Sequence, residues 1–186
     1  MDNKYIKDLI YQVAIYEDEC AYRHLFNILF PSLQNFAYTF LKQRQTAEEL
    51  ASDILLDVWQ KAKKYLEIEN PKMYLLVSVK NASLRKLETN KKISTLPLEN
   101  IKVEFKNDYG HLENNNIALE NLVSKAIEQL PEKCKLIFKL AKEEKLRYRE
   151  IAELLDISVK TIDSQLAIAT KKISLALLEH KKLYYK

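Results

Sequence analysis

Six side chains near the C-terminus have types and spacing that suit DNA chemistry: Lys160, Thr161, Ser164, Gln165, Ile168 and Lys171. On a helix, Val159, Ile162, Leu166, Ala169 and Ile173 recur at the helical period and form an inward stripe, leaving those six outward. Short hydrogen-bonding side chains can address base edges in a groove, and lysines can neutralise phosphates. Just upstream, Ile151, Ala152, Leu154 and Leu155 form the inward face of a second helix. Ile157 packs the turn, and Ser158 is placed to cap the helix that begins at Val159. Two helices around so short a turn make a helix-turn-helix candidate. The same pattern also fits an ordinary αα-hairpin with a solvated face. Net charge adds weight to the first reading. The chain carries +4, and all of the excess lies in residues 119–186, which hold 14 Lys/Arg against 10 Asp/Glu.

Other reactive side chains form no catalytic set. Glu49, Asp53 and Asp57 lie at i, i+4 and i+8, but a di-metal carboxylate site needs Glu-x-x-His pairs on neighbouring helices. His24, His111 and His180 offer none, so the acidic row reads as a solvated or partner-facing edge. Cys20 and His24 sit one turn apart without a third member, and both are expected to pack in the core, as is Cys134. Neither metal, cofactor nor small-molecule substrate is expected, and the chain does not read as an enzyme. Its single glycine, Gly110, excludes P-loops, dinucleotide fingerprints and Gly-rich kinase loops, and argues against a β sandwich or barrel.

The elements that must position these groups are helical. Residues 5–16 and 20–30 carry apolar residues at helical spacing, and Pro31 is expected to break or kink the chain before SLQNFAYTFLK. Thr46 and Glu49 form a T-x-x-E capping box ahead of one continuous stripe: Ala47, Leu50, Ala51, Ile54, Leu55, Val58, Ala62 and Tyr65. After EIENPK, a helix runs over about 71–88 with Pro71 in its first turn. Residues 90–117 lose the helical period and read as a flexible linker. Leu119, Leu122, Val123, Ala126, Ile127 and Leu130 resume it until Pro131. The basic, amphipathic end KKISLALLEHKKLYYK reads as continuation of the last helix. The expected class is all-α: two small domains, 1–89 and 118–186, joined by a linker. No apolar run reaches the roughly 18 residues of a membrane span, and the start MDNKYIKDL is too charged for a signal peptide. With two distant cysteines, a cytoplasmic location is expected.

The stretch LPEKCKLIFKLAKEEKLRYREIAELLDISVKTIDSQLAIATKKI resembles the promoter-reading domain of extracytoplasmic-function (ECF) sigma factors of bacterial RNA polymerase, most like the type common in Bacteroides-like bacteria. FPSLQNFAYTFLK, TAEELASDILLDVWQKA and MYLLVSVKNASLRKL are similar to the other sigma domain, in the family's order. A helix-turn-helix alone occurs in many regulators; the ordered pair is what separates this family from them. The resemblance implies a role for each matched position. Glu49, Asp53 and Trp59 would dock on the polymerase β′ clamp helices. The connection Leu66–Pro71, with Ile68 and Asn70, would capture an unstacked base of the −10 element, and Lys80, Asn81 and Lys86 would read that element. Leu136 and Leu140 would face the β flap. Lys160 through Lys171 would enter the −35 major groove, with Arg147 and Arg149 on phosphates. Partners implied are core polymerase, promoter DNA and an anti-sigma factor at the inner membrane.

Some positions depart from the family pattern. Ser52 replaces a usual glutamine, Arg85 a common aspartate, Arg147 the capping Ser/Thr, and Ile168 a frequent basic residue. Asp156 stands where relatives often place a turn glycine. Two other readings compete: a stand-alone helix-turn-helix regulator, and a helical decoy that binds polymerase or an anti-sigma without using DNA.

Overall fold

The computed structural model describes residues 3–93 and 115–184, with side chains over 3–89 and 121–178. The chain divides into two compact units; among the described residues the first holds five helices and the second four. Among the described residues no strand occurs, and no helix is long and apolar enough to cross a membrane.

The first unit comprises α1 (Asn3–Tyr16), α2 (Glu19–Leu41), α3 (Arg44–Gln60), α4 (Ala62–Tyr65) and α5 (Pro71–Ile93). Helix α2 packs against α1, α3 and α5, so it is the spine of this unit. Of the break or kink expected at Pro31, the break does not occur; the helix runs through the proline. A mid-helix proline costs about 3 kcal/mol. Leu25, Leu29, Leu33, Phe36 and Ala37 are buried on one side of α2, and each large apolar side chain among them contributes roughly 1.5–3 kcal/mol. The buried stripe outweighs the missing bond. At the start of α2, the Asp18 carboxylate accepts hydrogen bonds from the backbone N–H groups of Cys20 (2.8 Å) and Ala21 (3.1 Å). Cys20 and His24 lie on the exposed side of the helix, away from the buried Ala21, Leu25 and Leu29, and not in the core as expected.

The capping box read at Thr46 and Glu49 is also not formed. Helix α3 begins three residues earlier than that box requires, at Arg44, behind Gln43, which makes no side-chain cap. Thr46 donates instead to the Gln43 side chain (3.0 Å), and the Glu49 carboxylate accepts from Gln45 (3.2 Å). The apolar stripe itself is seated as read: Ala47, Leu50, Ala51, Leu55, Val58, Ala62 and Tyr65 are buried and Ile54 is half-buried. Lys61 interrupts the helix between α3 and α4. Across that break, the Asp57 carboxylate accepts from the Lys61 ammonium and from the Tyr65 hydroxyl (3.0 Å).

The second unit comprises α6 (Asn115–Glu128), α7 (Glu132–Lys142), α8 (Tyr148–Leu155) and α9 (Val159–Tyr184). Helix α9 packs on α6, α7 and α8. Leu130, Cys134, Ile137, Leu140, Ile151, Leu154, Ile162, Leu166 and Ala169 are buried between them. Lys135 is buried as well. Its ammonium meets Glu128 (3.1 Å) and Glu132 (3.7 Å), and Lys139 meets the other Glu128 oxygen (3.2 Å), which ties α6 to α7. Helix α9 continues into the basic C-terminal stretch as far as Tyr184, as expected.

The tract read as a linker over 90–117 is helical at both margins, since α5 reaches Ile93 and α6 starts at Asn115. Pro97, Gly110 and Asn114 lie outside the described residues. Where left-handed backbone is needed, Glu17, Lys42, Lys145 and Asp156 supply it at φ 52°, 59°, 56° and 54°. None of these positions uses glycine, although glycine is the residue most easily placed there.

Two outcomes are expected. Glu128→Ala should destabilise the second unit by roughly 2–3 kcal/mol in urea unfolding, because Lys135 would stay buried with only its longer Glu132 contact among those two carboxylates. Lys61, first, and the Tyr65 hydroxyl hold the Asp57 carboxyl below its ordinary value of 3.8. That contribution is therefore complete above pH 3.8 and is lost as the pH falls through the lower folded value. Asp57→Asn should cost under about 1 kcal/mol at neutral pH, given the solvent exposure of the pair. Its stability should converge on that of the unmodified chain in strong acid.

Candidate nucleic-acid interface

The turn between α8 and α9 is built by local hydrogen bonding. Asp156 adopts φ 54° and ψ 53°, and its N–H returns to the Ala152 carbonyl. The Ile157 N–H reaches the same carbonyl at 3.0 Å, completing a Schellman-type stop. Two residues later the Ser158 hydroxyl accepts the Thr161 N–H at 3.0 Å and starts α9. Asp156 and Ser158 thus perform the roles read from the sequence. At the start of α8, the Glu150 carboxylate accepts the Arg147 N–H at 2.7 Å. A guanidinium has no acceptor, so Arg147 cannot return the bond, and only half of a capping box exists there.

The outward face of α9 is mixed in accessibility. Lys160, Ser164, Ile168 and Lys171 are exposed, whereas Thr161 and Gln165 are half-buried. Thr161 shares a 2.8 Å hydroxyl contact with Ser158, and the Ser164 hydroxyl donates to the Lys160 carbonyl at 2.9 Å. Both hydroxyls are therefore committed, but each oxygen keeps acceptor capacity for a base amino group. The Gln165 carbonyl accepts the Cys134 thiol at 3.2 Å, which ties this turn of α9 to α7. Burial pushes the Cys134 thiol up, consistent with a neutral donor. Arg149 is exposed at the start of α8.

Two positions on α9 differ from the sequence reading. Val159, expected in the buried stripe, is 40% exposed, because the first residue of the helix precedes the turn that α7 and α8 cover. Lys172, one turn after Ile168, is also exposed and extends the basic edge. Its spacing of i+4 from Ile168 was the available signal.

In the first unit, Glu49 and Asp53 are exposed on α3. Trp59 is half-buried, with its ring 5.0 Å from that of Tyr22. Leu56, 47% exposed, falls between Asp53 and Trp59 on the same side. The sequence reading missed it, although i+7 from Glu49 marks it. The α4–α5 connection is held at both ends. Tyr65 is bonded to Asp57, and Asn70 caps α5 by accepting the Met73 N–H at 3.1 Å. The Asn3 side chain donates to the Glu69 carbonyl at 3.0 Å. Asn70 is thus engaged by the backbone, and Ile68 is half-buried beside the exposed Leu66.

On α5, Asn81 is exposed, while Lys80 and Lys86 are half-buried. Lys80 and Lys86 stand about 100° and 140° around the helix from Asn81, so neither shares the outward row. That row holds Tyr74, Asn81 and Arg85, all exposed. The Leu140 expectation is overturned. It is 2% exposed and part of the core, because α7 turns this side toward α8 and α9. Leu136 is half-buried.

Residues 25–93 match the family described as Sigma-70 region 2, and residues 120–173 match the one described as Sigma-70, region 4. Together they span about two thirds of the chain. One similar solved structure is the sigma factor RpoE in complex with the anti-sigma factor NepR from Bartonella quintana. It has a TM-score of 0.52 and 19% identity, covering 83% of this chain and 95% of that one. At that identity the likeness is one of fold. Another is CnrH in complex with the cytosolic domain of CnrY, with a TM-score of 0.48 and 17% identity, covering 95% and 98% of the two chains. No curated protein sequence matches the chain.

The turn geometry predicts a ranked series in thermal or urea unfolding. Asp156→Gly should be neutral or stabilising, whereas Asp156→Val should cost about 1–2 kcal/mol for forcing a β-branched residue left-handed. Ser158→Ala should cost about 1 kcal/mol through loss of the cap.

Proposed function

Since the chain belongs to the sigma-70 family, with region 2 and region 4 in one polypeptide, we propose that it works as an ECF-type sigma factor. It binds core RNA polymerase and directs promoter-specific transcription initiation. The observation that carries this reading is the ordered pair: a helical unit matching region 2 followed by a separate helical unit matching region 4.

The division of labour follows from the chemistry each surface presents. Duplex DNA at −35 requires a helix in the major groove, and α9 offers an exposed row with Lys160, Ser164, Ile168 and Lys171 behind a capped N-terminus. Arg149 is placed for phosphate contact. The −10 element must be opened and its bases captured, which suits the connection containing Leu66, Ile68 and Asn70 and the outward row of α5. In that row Asn81 and Tyr74 would face the strand, Arg85 would add charge, and Lys80 and Lys86 would hold phosphates on either flank. The β′ clamp helices would meet Glu49, Asp53 and Leu56 on α3. There an exposed apolar side chain beside two carboxylates resembles an interface anchor with its polar rim. Leu136 remains available toward the β flap.

The protein would act in the cytoplasm, without a catalytic group of its own. An anti-sigma factor is a proposed partner, one that would cover the polymerase-binding faces of both units. Assignment to the type common in Bacteroides-like bacteria is supported by sequence resemblance alone.

Purified chain plus core polymerase should give promoter-dependent run-off transcripts from a pooled promoter library. Paired Lys160→Ala and Gln165→Ala substitutions should leave co-elution with core intact while abolishing promoter use. Glu49→Lys with Asp53→Lys should weaken co-elution more than tenfold. Failure of the unmodified chain to co-elute with core at low salt would sink the proposal.

A further inference from the structure

We propose that Ile168 reads the C5-methyl group of a thymine in the duplex −35 element, which makes it a specificity-determining residue. This rests on the assignment of α9 to the −35 major groove. Lys160, Ser164 and Ile168 recur every four residues and so form one ridge along the exposed side of α9, with Lys171 and Lys172 at its far end. The eleven steps from Lys160 to Lys171 rise about 16 Å, enough to cross the groove, about 12 Å wide, and reach the backbone on either side. A basic side chain therefore stands at each end of the ridge, where the phosphate backbones would run, and an aliphatic one stands between them.

Ile168 is 41% exposed, while Ile162, Leu166 and Ala169 take the buried side of the helix. Its β-branched side chain has few rotamers on a helix, so it offers a stiff apolar surface without donor or acceptor. Base edges in the major groove present donors and acceptors with a single apolar feature, the thymine methyl. Against the other edges, an aliphatic chain would strip water from polar groups without replacing its hydrogen bonds, which is unfavourable. Only the thymine methyl gains from that contact. The discrimination is thus both attractive toward A·T and repulsive toward the remaining edges. The polar neighbours do not duplicate it, since the Ser164 hydroxyl is already bonded to the Lys160 carbonyl.

The test uses the full chain assembled with core polymerase. A −35 sequence is first selected from a randomised promoter pool. Each thymine in it is then replaced in turn by deoxyuridine, which lacks only the methyl group. At one position, deoxyuridine should reduce promoter binding roughly fourfold, the equivalent of one buried methyl-sized group. Ile168→Ala should lose a similar factor on the thymine template and be insensitive to deoxyuridine at that position. Its circular dichroism and melting temperature should remain unchanged. A selected element without an A·T pair would overturn the inference, as would equal responses of the two proteins at every thymine. Lys160→Ala and Lys171→Ala keep the two levels distinct. If both leave promoter use intact, the −35 assignment itself fails; if they abolish it while the deoxyuridine responses stay equal, only the role of Ile168 fails.

Discussion

The rotation of α9 about its own axis governs what the second unit can present to a partner. Ile162, Leu166 and Ala169 are buried, and α6, α7 and α8 all pack on this one helix. Turning the helix by one residue position, about 100°, would bring Asp163 and Ala167 inward and expose Ile162. The loss of buried apolar area would be several kcal/mol. An exposed ridge of Lys160, Ser164, Ile168 and Lys171 is therefore a by-product of core packing. The interface is as rigid as the core that sets it, a favourable condition for a helix that must meet base edges in register.

Where α9 begins is decided by the turn, and here local chemistry dominates. The left-handed Asp156, the paired bonds to the Ala152 carbonyl and the Ser158 cap define both the end of α8 and the start of α9 within four residues. Those bonds also satisfy backbone groups that a helix terminus would otherwise leave open. Beneath this surface, the Lys135 cluster joins α6 to α7 with buried charge. A buried ion pair adds little net stability compared with apolar filling, but removing one member leaves a charge stranded. Its contribution is thus better seen as fixing the register of the two helices.

In the first unit, a spine helix and local hydrogen bonds together hold the connection between α4 and α5. Helix α2 supplies the spine and continues through Pro31 since its buried stripe outweighs one absent hydrogen bond. Tyr65 bonded to Asp57, Asn70 capping α5 and Asn3 reaching the Glu69 carbonyl then pin the connection at three points. Between those points Leu66 remains exposed. Asn70 is thus engaged in capping α5, whereas Leu66 stays exposed.

Much of this was legible in the chain because helical periodicity and short-range turn chemistry are local properties. The lone glycine, the stripes of α3 and α9, the Ser158 cap and the left-handed Asp156 could all be read from neighbours in sequence. What could not be read depended on residues far along the chain. Packing against α1, α3 and α5 carries α2 past its proline, and the cover of α8 and α9 takes Leu140 into the core. Cys20 and His24 are exposed because α2 turns Ala21, Leu25 and Leu29, and not them, toward its partner helices. The sequence by itself determined the all-α class, the helix faces and the order of the two units. Tertiary structure alone decided which outward residues stayed accessible, because exposure depends on the neighbouring helices that a local pattern does not contain.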